Sequence, residues 1–191
     1  MTLEKLNEEI ALFTRENFPG DADKLVFGCG NFSSPRVMLI GEAPGGDEVK
    51  QGKPFVGKAG KNLDQFLQDA GLIREALYVS NAVKFRPTEA GKNGGVRNRA
   101  PKKSEIDAFR PFLMREILLI KPHMLVTLGN TPLCSVMGEG FSVGQEHGRL
   151  LSGPEGIPLF CLYHPASVIY RPELKEIYRQ DMLKLRQLLS A

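Results

Sequence analysis

Val37-Met38-Leu39-Ile40-Gly41-Glu42-Ala43-Pro44-Gly45 is the stretch on which the fold turns. Four apolar residues in a row, two of them β-branched, read as a strand buried on both faces. The run stops at Gly41 and a carboxylate follows at once. A strand buried on both faces belongs in a parallel sheet with helices on either side. Three further runs fit the same sheet: 76–81, 124–128 and 159–162.

Between these runs the apolar period changes from 2 to 3.6. Leu3, Leu6, Ile10 and Phe13 predict a helix over 3–16. Leu63, Phe66, Leu67 and Ala70 predict a second, with Gly71 as its C-terminal cap. Phe109, Leu113, Ile117 and Ile120 predict a third over 104–120, capped by Ser104 with Asp107 and kinked at Pro111. Thr131-Pro132 reads as the start of a short helix. Leu174, Ile177, Tyr178, Leu185 and Leu188 predict the last, over 173–189. The segments 17–34, 42–57 and 85–103 read as loops, and the Gly-rich 138–157 as a hairpin or loop. The expected fold class is α/β, a three-layer α/β/α arrangement around a central, mostly parallel four-stranded sheet, in a single domain over residues 1–191.

Composition excludes several classes. No apolar run approaches the roughly 18 residues of a membrane span. The first ten residues, MTLEKLNEEI, carry acids where a secretory signal needs bases and an apolar core, so the cytoplasm is the expected location. Cys29, Cys134 and Cys161 are sparse, and no C-x-x-C occurs, which argues against a disulfide framework or a four-thiolate metal site within the chain. The net charge of +3 hides an asymmetry. Lys84, Arg86, Lys92, Arg97, Arg99, Lys102 and Lys103 face Glu89 alone in their stretch, leaving the remainder net acidic. A local basic segment on a near-neutral body suits a polyanion partner.

In such sheets ligands sit beyond the carboxyl ends of the strands. Gly41 to Gly45, Asn81 and His164-Pro165 all follow strand runs and would converge there. Gly52 to Lys58 spells G-x-x-x-x-G-K, but Ala59 stands where a phosphate loop needs Ser or Thr, and the preceding strand ends too early. A nucleotide triphosphatase is therefore disfavoured.

The segment 41–67, GEAPGGDEVKQGKPFVGKAGKNLDQFL, closely resembles the first signature of the uracil-DNA glycosylase superfamily, in its family 4 branch. The likeness continues in order through Asn81, Lys84-Phe85-Arg86-Pro87, Arg99-Ala100-Pro101, Pro111-Phe112-Leu113, Leu128-Gly129 and His164-Pro165-Ala166. What it implies is a doubly wound sheet that binds a uracil flipped out of DNA and hydrolyses its N-glycosidic bond without lyase chemistry. By this resemblance His164 would donate to uracil O2 as charge develops there. Glu42 would hold the attacking water or stabilise the cationic sugar, with Asp47 and Glu48 competing for part of that role. Asn81 would read the pyrimidine edge and Phe55 would stack on the base. Glu48 and Ala43 would line the substrate site, the backbone of Ala43, Gly45 and Gly57 supplying donors.

With DNA as the polyanion, the charge of the basic stretch makes Lys84, Arg86, Arg97 and Arg99 the expected DNA contacts. A loop after His164 would wedge into the duplex through Val168 or Ile169, with Arg171 at a phosphate. The expected partner is uracil-containing DNA, with the protein a monomer and no membrane involved. Two rivals stand beside this reading: a catalytically weak nucleic-acid or modified-base binding protein, and a glycosylase for another deaminated base such as hypoxanthine.

The chain departs from the family at one feature. Family 4 enzymes typically carry a [4Fe–4S] cluster on four cysteines. The matching positions here hold Thr14, Asn17, Phe85 and Phe109, so no cofactor and no metal are expected. The segment from Pro87 to Arg99 is also longer than the usual link. It lacks the histidine by which one branch of the superfamily attaches covalently to DNA.

Overall fold

The structure is a computed structural model and describes residues 1–91 and 94–190. Its elements run α1 (Leu3–Asn17), β1 (Cys29–Gly30), β2 (Val37–Gly41), α2 (Gly46–Gln51), α3 (Lys58–Asp69), β3 (Tyr78–Asn81), β4 (Thr88–Ala90), β5 (Val96–Asn98), α4 (Lys103–Ile120), β6 (Met124–Leu128), α5 (Asn130–Met137), α6 (Val143–Glu146), β7 (Leu150–Ser152), β8 (Pro158–Leu162), α7 (Ser167–Tyr170) and α8 (Leu174–Ser190).

The main sheet has the order β1-β3-β2-β6-β8-β7. Its inner four strands, β3, β2, β6 and β8, are parallel and are the four apolar runs of the sequence. The edges were not foreseen. β1 pairs antiparallel with β3, and β7 antiparallel with β8, so the sheet is mixed and six-stranded. A separate antiparallel pair, β4 with β5, rises from the basic segment that was expected to be loop. Lys92, one of that segment's bases, lies outside the described residues.

Side-chain alternation along β2 builds both layers. Val37 and Leu39 join Val79, Val126, Phe160 and Leu162 against α3 and α8, through Leu63, Phe66, Tyr178 and Leu185. Met38 and Ile40 join Leu125, Leu159 and Cys161 against α4 and α5, through Leu113, Ile117 and Leu133. α1 closes the corner beside α4, with Leu6 and Ile10 against Phe85, Phe109 and Phe112. α4 continues past Pro111. Its N-terminus is fixed by Glu105, whose carboxylate accepts from the Lys102 N–H at 2.7 Å, rather than by Ser104 and Asp107. Among the described residues no helix is long and apolar enough to cross a membrane.

The chain builds β3 on one side of β2 and β6 on the other. The loops leaving the carboxyl ends of β2 and β6 therefore diverge to opposite faces, and a crevice opens between them. That crevice receives the strand ends carrying Glu42, Asn81 and His164.

Candidate active site

Glu42 follows the last residue of β2, Asn81 ends β3, and His164 comes two residues after β8. The loop from β2 to α3 returns over these ends and adds Phe55. All four side chains line one cleft of about 360 Å³, together with Ala43, Glu48, Asn98 and Arg99. That volume lies in the range of small-molecule sites.

Phe55 is almost wholly buried although it sits in a loop. Its backbone is left-handed, with φ of +54°, a conformation that costs a non-glycine residue about 1–2 kcal/mol. The ring is 6.0 Å from the His164 ring, inclined at 33°. Gly41 makes room beneath it. A Cβ at Gly41 would lie 2.4 Å from Phe55 Cζ and 2.5 Å from Asn81 Oδ1, so only glycine lets ring and amide meet over the end of β2.

Asn81 is buried, and its side-chain amide makes no hydrogen bond to protein among the described residues. The amide opens on the cleft, where a ligand or water can complete its hydrogen bonds. Its backbone is held hard: Lys84 Nζ donates to the Asn81 carbonyl at 2.7 Å, to Ser80 Oγ at 2.6 Å and to Glu116 Oε2 at 2.6 Å. Tyr78 donates to the other oxygen of Glu116 at 2.8 Å.

His164 has a defined tautomer. The Ala166 N–H donates to its Nδ1 at 3.1 Å, so Nδ1 is the acceptor and the proton of the neutral ring rides on Nε2. Burial pushes the imidazole down to about 4, only partly opposed by the negative charge of Glu48. It is a neutral donor at physiological pH. Across the cleft, Glu42 is held at Oε2 by the hydroxyl of Thr131, which donates at 2.5 Å.

Glu48 is occupied differently. Its Oε2 accepts from the Gly45 N–H at 3.0 Å, and its Oε1 from those of Val56 and Gly57 at 3.1 and 2.8 Å. Three amide donors engage this carboxylate in tying the two ends of the loop together. It lines the cleft and holds the loop just after the strained Phe55, whereas Oε1 of Glu42 has no protein partner among the described residues.

Residues 27–186 match the family described as the uracil DNA glycosylase superfamily. The chain belongs to that superfamily. It is 36% identical to the type-4 uracil-DNA glycosylase of Sulfurisphaera tokodaii, over 98% of this chain and 84% of the relative. It is 37% identical to that of Saccharolobus solfataricus, over 86% and 76%. Among solved structures it is similar to wild-type SMUG2 of Pedobacter heparinus, with a TM-score of 0.55 at 14% identity, covering 82% of this chain and 76% of that one. This last likeness concerns the fold.

Within this glycosylase framework the expected DNA-facing residues divide. Lys84 is wholly buried in the ion pair with Glu116 and cannot reach a phosphate. Arg99 is largely spent as well: both its terminal nitrogens donate to Glu105, at 2.7 and 2.5 Å. Burial pushes the Glu105 carboxyl up, but these bonds and the Lys102 N–H outweigh it and hold the group below its ordinary value. Arg97 and Arg171 are exposed, and among the described residues they pair with the exposed Glu89 and Glu173. Arg86 is half-buried and donates from Nε to Asn98 Oδ1 at 2.7 Å. In the turn after His164, Val168 packs against the core under α8, whereas Ile169 is 46% and Tyr170 82% exposed. The exposed pair is therefore Ile169 and Tyr170, and Val168 is anchored.

Thr131 and Asn98 escaped sequence reading. Thr131 looks like an ordinary helix-start threonine, and nothing in the basic segment announces that β5 carries Asn98 to the cleft wall.

The corner that a family 4 cluster would need does not fit one. Thr14 donates to the Ile10 carbonyl at 2.7 Å inside α1. Phe18 and Phe85 lie 5.3 Å apart, Phe85 and Phe109 5.5 Å, and Phe13 and Phe109 5.8 Å, so rings fill the volume where thiolates and iron would stand. Cys29, Cys134 and Cys161 lie on β1, α5 and β8, and no group of three His, Cys, Asp or Glu among the described residues is arranged to hold a metal.

Proposed function

We infer that this chain is a uracil-DNA glycosylase, which hydrolyses the N-glycosidic bond of a deoxyuridine extruded from DNA into the cleft. The observation that carries this reading is the convergence of Glu42, Phe55, Asn81 and His164 on one cleft. A flipped pyrimidine stacks on Phe55. The free amide of Asn81 donates to uracil O4 and accepts from N3–H; cytosine presents the reverse pattern and leaves both groups unpaired.

Bond cleavage sends the C1′–N1 electron pair into the base and leaves an oxocarbenium-like sugar. Nε2–H of His164 is aimed at O2, where the base becomes negative. Being neutral, the ring stabilises that charge by a hydrogen bond and needs no proton transfer. Glu42 faces the sugar, offsets its positive charge and accepts from the water whose oxygen bonds to C1′. The water's proton passes through that carboxylate to solvent, and the uracil anion takes up a proton on release.

The direct test is incubation with single- and double-stranded oligonucleotides carrying one uracil, followed by alkaline cleavage at abasic sites. The parent is expected to cut both the uracil strands and spare cytosine. His164→Ala is expected to lose about a hundredfold or more in rate while keeping its melting temperature. Uracil strands left intact by the parent overturn the reading, and tight binding without turnover points instead to a binding protein.

A further inference from the structure

Thr131 is not among the residues that line the cleft, yet its hydroxyl touches the carboxylate on which hydrolysis turns. Glu42 leaves the end of β2 on a flexible side chain that would otherwise sample several rotamers. The hydroxyl fixes it at 2.5 Å through Oε2, and Oε1 has no protein partner among the described residues.

The threonine is itself held. It lies in the first turn of α5, its carbonyl accepts from Ser135 Oγ at 2.7 Å, and its β-branch restricts χ1. The same junction also meets the opposite catalytic group. Gly129 has φ of +99°, and a Cβ there would lie 3.1 Å from His164 Cβ. Gly129, Asn130 and Thr131 thus span from the imidazole to the carboxylate, so the β6–α5 turn sets the spacing between the donor for the leaving base and the acceptor for the water.

We propose that Thr131 is a positioning residue for hydrolysis: its Oγ1–H locks one oxygen of Glu42 so that the other receives the attacking water. This rests on the glycosylase reading. The test compares Thr131→Val, which keeps shape and removes the donor, with Thr131→Ser, which keeps the donor, on the uracil oligonucleotide. Val is expected to lower kcat by about tenfold or more with KM within about twofold of the parent, and Ser to stay within about threefold in both.

Val turning over like the parent overturns the role, as does Ser as slow as Val, which would mark a packing requirement of the methyl group. Should Val not fold, Thr131→Ala replaces it in the same comparison with Ser. An inactive parent overturns the glycosylase reading and this role with it. An active parent with an indifferent Val overturns the role alone.

Discussion

The imidazole of His164 shows how position alone sets a residue's chemistry. The same ring on the surface would be half-charged near pH 6.5. Here burial holds it neutral down to about pH 4, and the Ala166 N–H decides which nitrogen keeps the proton. The consequence for stability has a definite sign. Between pH 6.5 and 4 the unfolded chain binds a proton that the folded chain refuses, so folding weakens as pH falls through that window, by up to about 3 kcal/mol. His164→Asn removes the titration. Unfolding by urea at pH 7 and pH 4.5 is expected to show a smaller loss for the variant than for the parent. Equal losses would mean the ring is freely protonated in the native cleft. Glycosylase activity, on the same account, should not fall through a group titrating near 6.5.

At the scale of elements, the aromatic corner between α1, α4 and the segment after β3 takes over the job of holding those pieces together. Phe109 touches Phe13, Phe18, Phe85 and Phe112 with ring centroids 5.5 to 6.2 Å apart. Phe109→Ala should cost about 3–5 kcal/mol, the range for emptying a buried aromatic site, read as a lower urea midpoint. A chelator should leave the parent's midpoint where it is. A midpoint that drops with the chelator, or iron retained by protein purified without oxygen, would contradict the packing described.

Elements also differ in how far the sequence discloses them. The four parallel strands were legible because a strand buried on both faces writes an unbroken apolar run, as at Val37 to Ile40. β1 and β7, two and three residues long, are too short for any period to appear, and they exist only because β3 and β8 offer open edges. Glu42, Phe55, Asn81 and His164 were legible through strand ends and motif order. The fate of Lys84 was not. In the sequence it is one base among seven, and only the approach of α4 carries Glu116 to it.

Over the whole molecule, the surface around the cleft has two exposed arms. One is the β4–β5 pair, with Val96 66% exposed and Arg97 beside it; the other is the turn bearing Ile169, Tyr170 and Arg171. Both spring from segments that line the cleft, through Asn98 and Ala166. DNA lying across the cleft would meet both arms. Each phosphate contact contributes about 0.9 to the slope of log K against log salt.

Arg97→Gln with Arg171→Gln is therefore expected to flatten the salt dependence of DNA binding by nearly two while leaving the rate at saturating substrate unchanged. Arg99 belongs to the same basic stretch but answers to different physics. Its bidentate pair with the buried Glu105 makes Arg99→Gln a lesion of stability, about 3 kcal/mol or more because a buried carboxylate loses its cation. The melting temperature should fall and the salt slope should hold. If Arg99→Gln flattened the slope while the Arg97 and Arg171 changes left it untouched, DNA would have to approach from the Glu105 side of the cleft, and the two arms would face solvent in the complex.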